Sequence, residues 1–191
     1  IANLVYIYFI FVKNDKVTKV LGTLTVPLAI FVHAYTGFAF ALVRARAWWH
    51  SALMPGFFLT SALLSGIALL VVVAMIMERY IKEKLDPDLF KSLRLMMIGI
   101  LLMDLFWTAC FWLTLLVSNA DGHASIMVAL HEKLYLWGEI VAGMLVPLII
   151  LLAPKTRYSR NWLVLASLLI IGGVFLMRYS VVFIGFEIPL S

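Results

Sequence analysis

Four ionisable side chains lie inside long apolar runs of this sequence, where a chemical role is the first explanation to consider. They are His33, Asp104, Glu139 and Arg178. An ionisable group within a membrane span is costly and usually marks a proton path, a ligand site or a paired contact. Histidine titrates near neutral pH and carboxylates exchange protons, so these residue types predict proton-coupled chemistry in an apolar setting.

The spacing around these residues adds candidate partners. Gly37 follows His33 by one helical turn on the same face, which predicts room for a ring-shaped ligand above the histidine. Tyr135 shares a helix face with Glu139 for the same reason. Glu139 and Arg178 reach similar depths, so we expect either a buried ion pair or a pair that lines a cavity for a polar ligand head.

His33 and Asp104 are both expected near mid-depth. Counting helix rise per residue, they lie about 15 Å and about 14 Å from opposite faces of the membrane, so the two side chains are expected to meet. Asp104 either relays protons or forms a structural hydrogen bond to another helix. For His33 the alternatives are a functional role and a hydrogen bond to a neighbouring helix.

The turn Arg-Ala-Arg-Ala-Trp-Trp-His, residues 44–50, separates two apolar runs. Interfacial tryptophans and snorkelling arginines explain it without any ligand. However, its two arginines lie at the end of the spans whose loops carry fewer Lys and Arg residues. Basic residues usually concentrate in the loops at the opposite, cytoplasmic end. Arg44 and Trp49 are therefore predicted to contribute to a binding site for a ligand carbonyl or an acidic partner.

Residues needed for several cofactors are missing from this sequence. A single cysteine, Cys110, can form neither an internal disulfide nor an iron–sulfur cluster. Only His33 lies deep in a span, so haem b is not expected unless segments beyond this chain supply further ligands. Asp121, His123 and His131 match no metal-ligand spacing, so no metal site is predicted. Apart from a net charge of +5, nothing suggests nucleic-acid binding.

The elements that must position these residues are membrane spans. Of the 191 residues, 64% are apolar and 13% charged, whereas about a quarter of the residues in soluble domains are charged. We predict one all-α domain over 1–191, a polytopic transmembrane helix bundle with one truncated and five full spans. Because the first span starts in mid-helix without a Met, we expect a piece of a larger subunit. The predicted spans are 1–12, 20–43, 52–77, 95–117, 133–153 and 162–184.

The distribution of basic residues predicts the orientation of the bundle. Eleven of the 15 Lys and Arg residues lie in the loops 13–19, 78–94 and 154–161. Short basic loops stay in the cytoplasm. These three loops are therefore predicted to be cytoplasmic, and the opposite ends of the spans to face the periplasm or the outside.

Three local features predict architecture rather than chemistry. Pro27 and Pro147 are candidate helix kinks. The stretch 118–132 is predicted to lie flat on the membrane or under a partner subunit. Two small-xxx-small pairs predict close helix packing, and their members are Ser61, Ala62, Ser65 and Gly66.

Four segments resemble a known family. They are HAYTGF at 33–38, RARAWWHSALMP at 44–55, SALLSG at 61–66 and GGVFLMRY at 172–179. These segments are similar to the NrfD / polysulfide reductase family of integral membrane subunits. The similarity covers the second, third and last spans, while the fourth and fifth spans match mainly in hydropathy.

The resemblance implies a haem-free subunit of a prokaryotic inner membrane that binds a quinone, menaquinone or ubiquinone, near the periplasmic face. It also implies electron exchange with a periplasmic ferredoxin-like iron–sulfur subunit, itself attached to a molybdopterin or other catalytic subunit of a respiratory complex. Family members usually have eight or more spans, so this chain would be part of a larger subunit. Some branches carry an acid shortly after the helix histidine. Here Ala39 and its neighbours are apolar, so Asp104 or Glu139 would have to accept the proton.

These expectations combine into one hypothesis for the site. His33, Asp104 and Glu139 are the predicted catalytic residues, which exchange protons with a quinol head that enters from the lipid. The residues predicted to bind the quinone are His33, Gly37, Arg44, Trp49, Tyr135, Glu139 and Arg178. Two alternatives stay open: an ion- or proton-coupled transporter that uses the same ionisable residues, and a plain membrane anchor for a soluble enzyme.

Overall fold

The computed structural model of this chain describes residues 2–13, 15–81, 85–118, 120–156 and 159–187. Within those ranges every regular element is a helix, which confirms the all-α prediction. Residues 82–84 and 157–158, which belong to two of the predicted cytoplasmic loops, lie outside the described residues. The described helices are α1 (Ala2–Phe11), α2 (Asp15–Ala41), α3 (Met54–Ile81), α4 (Pro87–Val117), α5 (Ala120–His131), α6 (Leu134–Leu152) and α7 (Arg160–Glu187).

Five of the described helices, α2, α3, α4, α6 and α7, are long and apolar enough to cross a membrane. This confirms the prediction of a multi-pass membrane protein with five full spans. The predicted first span, 1–12, is the 10-residue helix α1, which packs against α2. α2 begins at Asp15 and α4 at Pro87, before the predicted spans 20–43 and 95–117. In both helices a polar N-terminal segment extends the helix beyond the apolar run.

The stretch 118–132 contains the helix α5, which is part of the bundle. α5 contacts α4, α6 and α7, and its buried face is made of small and apolar residues. One of them, Gly122, leaves no room for a side chain, since an added Cβ would overlap the Ser118 hydroxyl and lie 2.8 Å from the Leu115 carbonyl oxygen. This stretch therefore packs tightly on the end of α4 and is not a loose surface segment.

The first part of α6, Leu134–Leu145, has π-helical hydrogen bonding, and the remainder is α-helical. Such π-helical segments are rare and are frequently found at functional sites. α6 touches α7 backbone to backbone, since a Cβ added to Gly143 would lie 2.5 Å from the Gly173 Cα. This contact brings the buried faces of the two helices together, with Glu139 on α6 and Ser180 on α7.

α3 lies at the centre of the described bundle, where it contacts α2, α4 and α7. Aromatic side chains fill the end of the bundle near the turn between α2 and α3. The Trp48 ring packs edge-on against Phe111 at 5.0 Å and against Tyr135 at 5.7 Å between ring centroids. This buried aromatic end encloses the polar groups that are described next.

Candidate functional site

The turn between α2 and α3 is hydrogen-bonded to the end of α7. The Trp49 indole Nε1 donates a hydrogen bond to the Val181 carbonyl oxygen over 2.6 Å. The Arg46 guanidinium donates to a carbonyl oxygen of α7 and lies 5.3 Å from the centroid of the Trp49 ring. Trp49, which is predicted to bind the ligand, is therefore buried where this turn packs on α7. Arg44, the other residue of the turn that is predicted to bind the ligand, is exposed on the surface.

Gly37 lets α2 touch the start of α3. A Cβ built on Gly37 would overlap the Pro55 Cα and lie 2.7 Å from the Met54 carbonyl oxygen. The prediction that Gly37 leaves room for a ligand ring is therefore wrong, because the backbone of α3 occupies that space. The glycine instead sets the distance between α2 and α3.

An open groove of about 220 Å³ runs between α2, α3 and α7. Its ionisable lining residues are His33 from α2 and Arg178 from α7, and the rest of the lining is small or apolar: Ala62, Ser65, Gly66, Leu69 and Ile171. Among the described residues nothing lies within 4 Å of a Cβ added at Gly66. At Gly66 the prediction of close helix packing therefore fails, and the small residues of α3 form the floor of the groove.

One ring nitrogen of His33 is already bonded within its own helix. Its Nδ1 lies 2.8 Å from the carbonyl oxygen of Ala29, one turn earlier. Because a carbonyl oxygen only accepts, Nδ1 carries the hydrogen and donates it, which leaves Nε2 of the neutral ring as a proton acceptor. His33 is half-exposed in the groove, so Nε2 is the ring atom that a ligand can engage.

The guanidinium of Arg178 lies over an aromatic ring. Its Cζ is 5.1 Å from the centroid of Phe58, which is a cation–π distance. The predicted ion pair between Arg178 and Glu139 is wrong, since no ion pair joins these two described residues. Met177 and Ser180 face Glu139, whereas Arg178 comes about 100° further around the helix than Met177 and faces the groove.

A second polar site lies inside the bundle around Glu139, which is only 4% exposed. Its carboxyl group accepts a side-chain hydrogen bond from Ser180, while Oε2 has no protein partner among the described residues. The Trp48 indole Nε1 also lacks a described partner and lines the same cavity, of about 20 Å³. One water molecule needs roughly 10–15 Å³ of such space, so the cavity can hold a water between an indole donor and a carboxyl acceptor.

Asp104 lies in the same interior region and is 2% exposed. The Thr60 hydroxyl donates to Asp104 Oδ1 over 2.8 Å. Asp104 is also close enough to Glu139 for a Coulombic interaction between the two carboxyl groups. We call Asp104 and Glu139, with their hydroxyl partners Thr60 and Ser180, the carboxyl cluster.

Tyr135 extends the carboxyl cluster towards α4. The Trp112 indole Nε1 donates a hydrogen bond to the Tyr135 hydroxyl oxygen over 2.7 Å. Since that oxygen accepts from Trp112, the hydroxyl hydrogen of Tyr135 can be donated elsewhere. Tyr135 lines the small cavity beside Glu139, where a water or a carboxyl oxygen can accept that hydrogen.

α3 separates the groove from the carboxyl cluster. Thr60 bonds Asp104 on one face of α3, whereas Ala62, Ser65 and Leu69 line the groove. In an α-helix those three positions lie about 140–200° around the axis from Thr60. The predicted meeting of His33 and Asp104 is therefore wrong, because the two residues lie on opposite faces of α3.

Comparison with known families matches this chain over almost its whole length. The model of the polysulphide reductase NrfD family covers residues 1–189. The chain belongs to this family. The resemblance predicted from the His33 segment and from the segment around Arg178 is thereby confirmed.

Two relatives of this NrfD-family chain are named as subunits of an oxidoreductase and of a reductase. The chain is 28% identical to an Hdr-like menaquinol oxidoreductase integral membrane subunit of Archaeoglobus fulgidus, covering 97% of this chain and 48% of the relative. It is 29% identical to a selenate reductase subunit of Mesobacillus selenatarsenatis, covering 93% and 42%. It is 23% identical to protein NrfD of Escherichia coli, covering 86% and 52%. The chain thus spans about half the length of the curated relatives it matches.

The predicted site residues of the NrfD-family chain divide between two places. His33 and Arg178 line the groove, whereas Asp104, Glu139 and Tyr135 lie in the interior. Sequence reasoning missed the hydroxyl donors of the carboxyl cluster. The available signal was a hydroxyl side chain inside an apolar span, but many such hydroxyls bond only the backbone of their own helix.

Proposed function

We propose that this chain is the quinone-binding part of a membrane subunit of a respiratory oxidoreductase complex. The observation that carries the proposal is the groove in which His33 and Arg178 face a common space. The relatives support it, because one is named as a menaquinol oxidoreductase membrane subunit and another as a selenate reductase subunit. The activity is proposed for the whole subunit with its partners, of which this chain is a part.

The chemistry of the groove suits a quinone or quinol head. Nε2 of His33 can accept a hydrogen bond from a ring hydroxyl, and Arg178 can donate to a ring oxygen. The small residues on α3 leave space for a flat ring, and Leu69 and Ile171 offer apolar contact for a ring substituent or tail. Menaquinone and ubiquinone both meet these requirements.

In the direction of quinol oxidation, His33 Nε2 takes the proton of a ring hydroxyl. The bond from Nδ1 to the Ala29 carbonyl oxygen holds the ring in place and leaves Nε2 for the ligand. The fixed charge of Arg178 stabilises an oxygen that loses its proton. Each oxidation gives up two electrons and two protons, and an iron–sulfur centre of a partner subunit would accept the electrons. In the reverse direction the protonated His33 returns the proton.

The carboxyl cluster supports proton movement within the same complex. Asp104 and Glu139 are buried carboxyl groups in the same interior region, and a carboxyl group can take up and release a proton. The neighbouring cavity of about 20 Å³ can place a water beside them. We propose that Asp104 and Glu139 carry protons through the bundle. The same cluster is the feature that favours a proton-coupled transporter as the second candidate function.

The orientation and the partners belong to the same proposal. We place the bundle in a prokaryotic inner membrane, with the basic ends of the spans in the cytoplasm. The ferredoxin-like iron–sulfur subunit would dock at the opposite end, near the turn 44–50. His33 and Arg178 lie in the half of their helices nearer to that end, which keeps the path for electrons short.

The test is the replacement His33→Ala in the purified native complex. We expect quinol-dependent turnover to fall about 100-fold or more, since removal of a general acid–base group typically costs that much. The matched control is His131→Ala, because His131 Nδ1 makes the same kind of bond, 2.7 Å to the Met127 carbonyl oxygen, outside the groove. The control should keep the turnover of the parent protein.

Three outcomes would contradict the proposal, each in a different way. Unchanged turnover and quinone content in His33→Ala would remove the groove as the site. A chain that purifies without quinone and without partner subunits would favour the transporter. Partner subunits without quinone would favour a plain anchor.

A further inference from the structure

A cavity of about 220 Å³ lies between the first turns of α4 and α7, where three basic side chains meet. It is separate from the groove and from the carboxyl cluster, since it shares no lining residue with either. Its basic lining residues are Lys91, Arg94 and Arg160, and its apolar wall includes Phe90 and Leu163. A cavity with this combination suits a ligand that has both a charged and an apolar part.

The charges that line the cavity are mostly positive. Lys91 and Arg94 are three residues apart and share one face of α4, and Arg160 reaches in from α7. Asp88 is the acidic residue among the described lining. Glu78 lies outside the lining and holds Arg160 through an ion pair of 2.5 Å. The cavity therefore favours an anion.

Arg94 is the most buried of the three cations. It lines the cavity, and only 8% of it is exposed. Its planar fork of N–H donors matches phosphate oxygens in a bidentate way. The first turns of α4 and α7 add the partial positive charge of two helix starts. Three cationic side chains around one cavity suit the charge and the several oxygens of a phosphate group.

The cavity lies at the boundary between the polar end of the bundle and its lipid-facing surface. Immediately after Arg94, Leu95 is 55% and Met96 is 53% exposed. On α7 the exposed side chain two residues after Arg160 is Trp162, a residue type enriched at membrane interfaces. A ligand held at this level can place a phosphate on the basic residues and its apolar part along the helices.

We propose that this cavity binds the phosphate group of an anionic phospholipid of the phosphatidylglycerol or cardiolipin type. Basic pockets between transmembrane helices are known to receive such headgroups. The phosphate contacts Lys91, Arg94 and Arg160, and an acyl chain lies along Phe90 and Leu163. The lipid joins the starts of α4 and α7 beside the contact of Arg160 with Phe90, in which the Arg160 Cζ lies 4.8 Å from the ring centroid.

The test measures lipid binding to the purified protein by native mass spectrometry. Phosphatidylglycerol, phosphatidylcholine and inorganic phosphate are titrated separately. The variant Lys91→Gln removes one exposed charge from the cavity, and we expect phosphatidylglycerol to bind about five-fold more weakly. Arg94→Gln should weaken it further. Lys155→Gln is the matched control, because Lys155 is exposed on the same basic end but does not line the cavity.

The outcomes distinguish an anionic phospholipid from a zwitterionic lipid and from a free phosphate ion as the ligand of this cavity. Preference for phosphatidylglycerol over phosphatidylcholine, lost in Lys91→Gln and kept in Lys155→Gln, supports the proposal. Equal binding of the two lipids, or equal weakening by the two lysine variants, overturns it. Inorganic phosphate that competes fully with phosphatidylglycerol also overturns it, in favour of a site for a free anion. Lys91→Gln alone decides the test if Arg94→Gln does not fold.

Discussion

The groove and the carboxyl cluster each contain a hydrogen bond that holds an ionisable side chain in place. In the groove, the bond from His33 Nδ1 to the Ala29 carbonyl oxygen leaves a single nitrogen for a ligand. In the interior, the bond from Thr60 to Asp104 leaves the second carboxyl oxygen of Asp104 for another partner. In both sites the scaffold takes one atom of the functional group and leaves the other for chemistry.

This arrangement leads to a prediction for Asp104. In Asp104→Asn the amide oxygen can still accept from Thr60, so the fold should remain intact while the exchangeable proton is lost. We expect quinol turnover of the native complex to fall about ten-fold or more if the carboxyl group carries protons. Steady-state turnover and thermal unfolding, measured on the same preparation, check both parts.

The control for this substitution is Asp121→Asn at the start of α5, outside the carboxyl cluster. It should leave turnover at the level of the parent protein. A structural role for Asp104 would show a different pattern, in which Asp104→Asn keeps full turnover or loses activity only together with the fold.

The helical elements show what hydropathy can and cannot predict. Five spans follow from apolar runs of sufficient length, and depth along a span follows from counting residues. Rotation about the helix axis relative to neighbouring helices does not follow from one sequence. His33, Asp104, Glu139 and Arg178 all lie within spanning helices, as the apolar runs predict. The predicted pairing of Glu139 with Arg178 and the predicted meeting of His33 with Asp104 depend on helix rotation, and both are wrong.

Two further elements, the π-helical part of α6 and the helix α5, cannot be predicted from the apolar pattern of the sequence. The π-helical part of α6 depends on hydrogen bonding that apolar periodicity does not reveal. The stretch 118–132 is only partly apolar, and its helix α5 is stabilised by contacts with α4, α6 and α7. Neither element follows from the local residue pattern alone.

The backbone contact between α6 and α7 gives a prediction at this scale. Gly173→Ala would place a Cβ in overlap with the Gly143 Cα and 3.1 Å from its carbonyl carbon, so the helices must separate. We expect the free energy of unfolding to fall by about 1–3 kcal/mol, as for other overpacked sites. Thermal or denaturant unfolding in mild detergent, followed by tryptophan fluorescence, measures the change.

The adjacent glycine provides the matched control. No described residue lies within 4 Å of a Cβ added at Gly172, so Gly172→Ala should leave stability unchanged or raise it by up to about 1 kcal/mol. Equal destabilisation by both substitutions would mean that the helix backbone, and not the contact with Gly143, limits this position.

At the scale of the whole molecule, the two ends of the bundle differ in chemistry. One end carries the basic starts of α4 and α7 with Lys91, Arg94 and Arg160. The other end carries the buried aromatic cluster around Trp48. The distribution of charge predicts that the basic end lies in the cytoplasm.

Cysteine labelling tests this orientation. The single natural cysteine is first removed as Cys110→Ser, and Lys155→Cys or Arg44→Cys is then introduced at an exposed position on each end. A membrane-impermeant maleimide added to intact cells should label Arg44→Cys directly and Lys155→Cys only after permeabilisation. The opposite pattern would reverse the proposed topology, and the Cys110→Ser background should show no labelling.

The bond between His33 Nδ1 and the Ala29 carbonyl oxygen also limits how many protons the side chains of the groove can accept at one time. With Nδ1 committed, the neutral ring has a single vacant lone pair, and Arg178 is a permanent cation that accepts nothing. Among the described lining residues, a quinol can therefore deliver its protons to His33 only in succession. If His33 acts as proposed, the imidazole would have to discharge between the two deliveries, and the rate of that discharge would set a ceiling on turnover that faster electron acceptors would not raise.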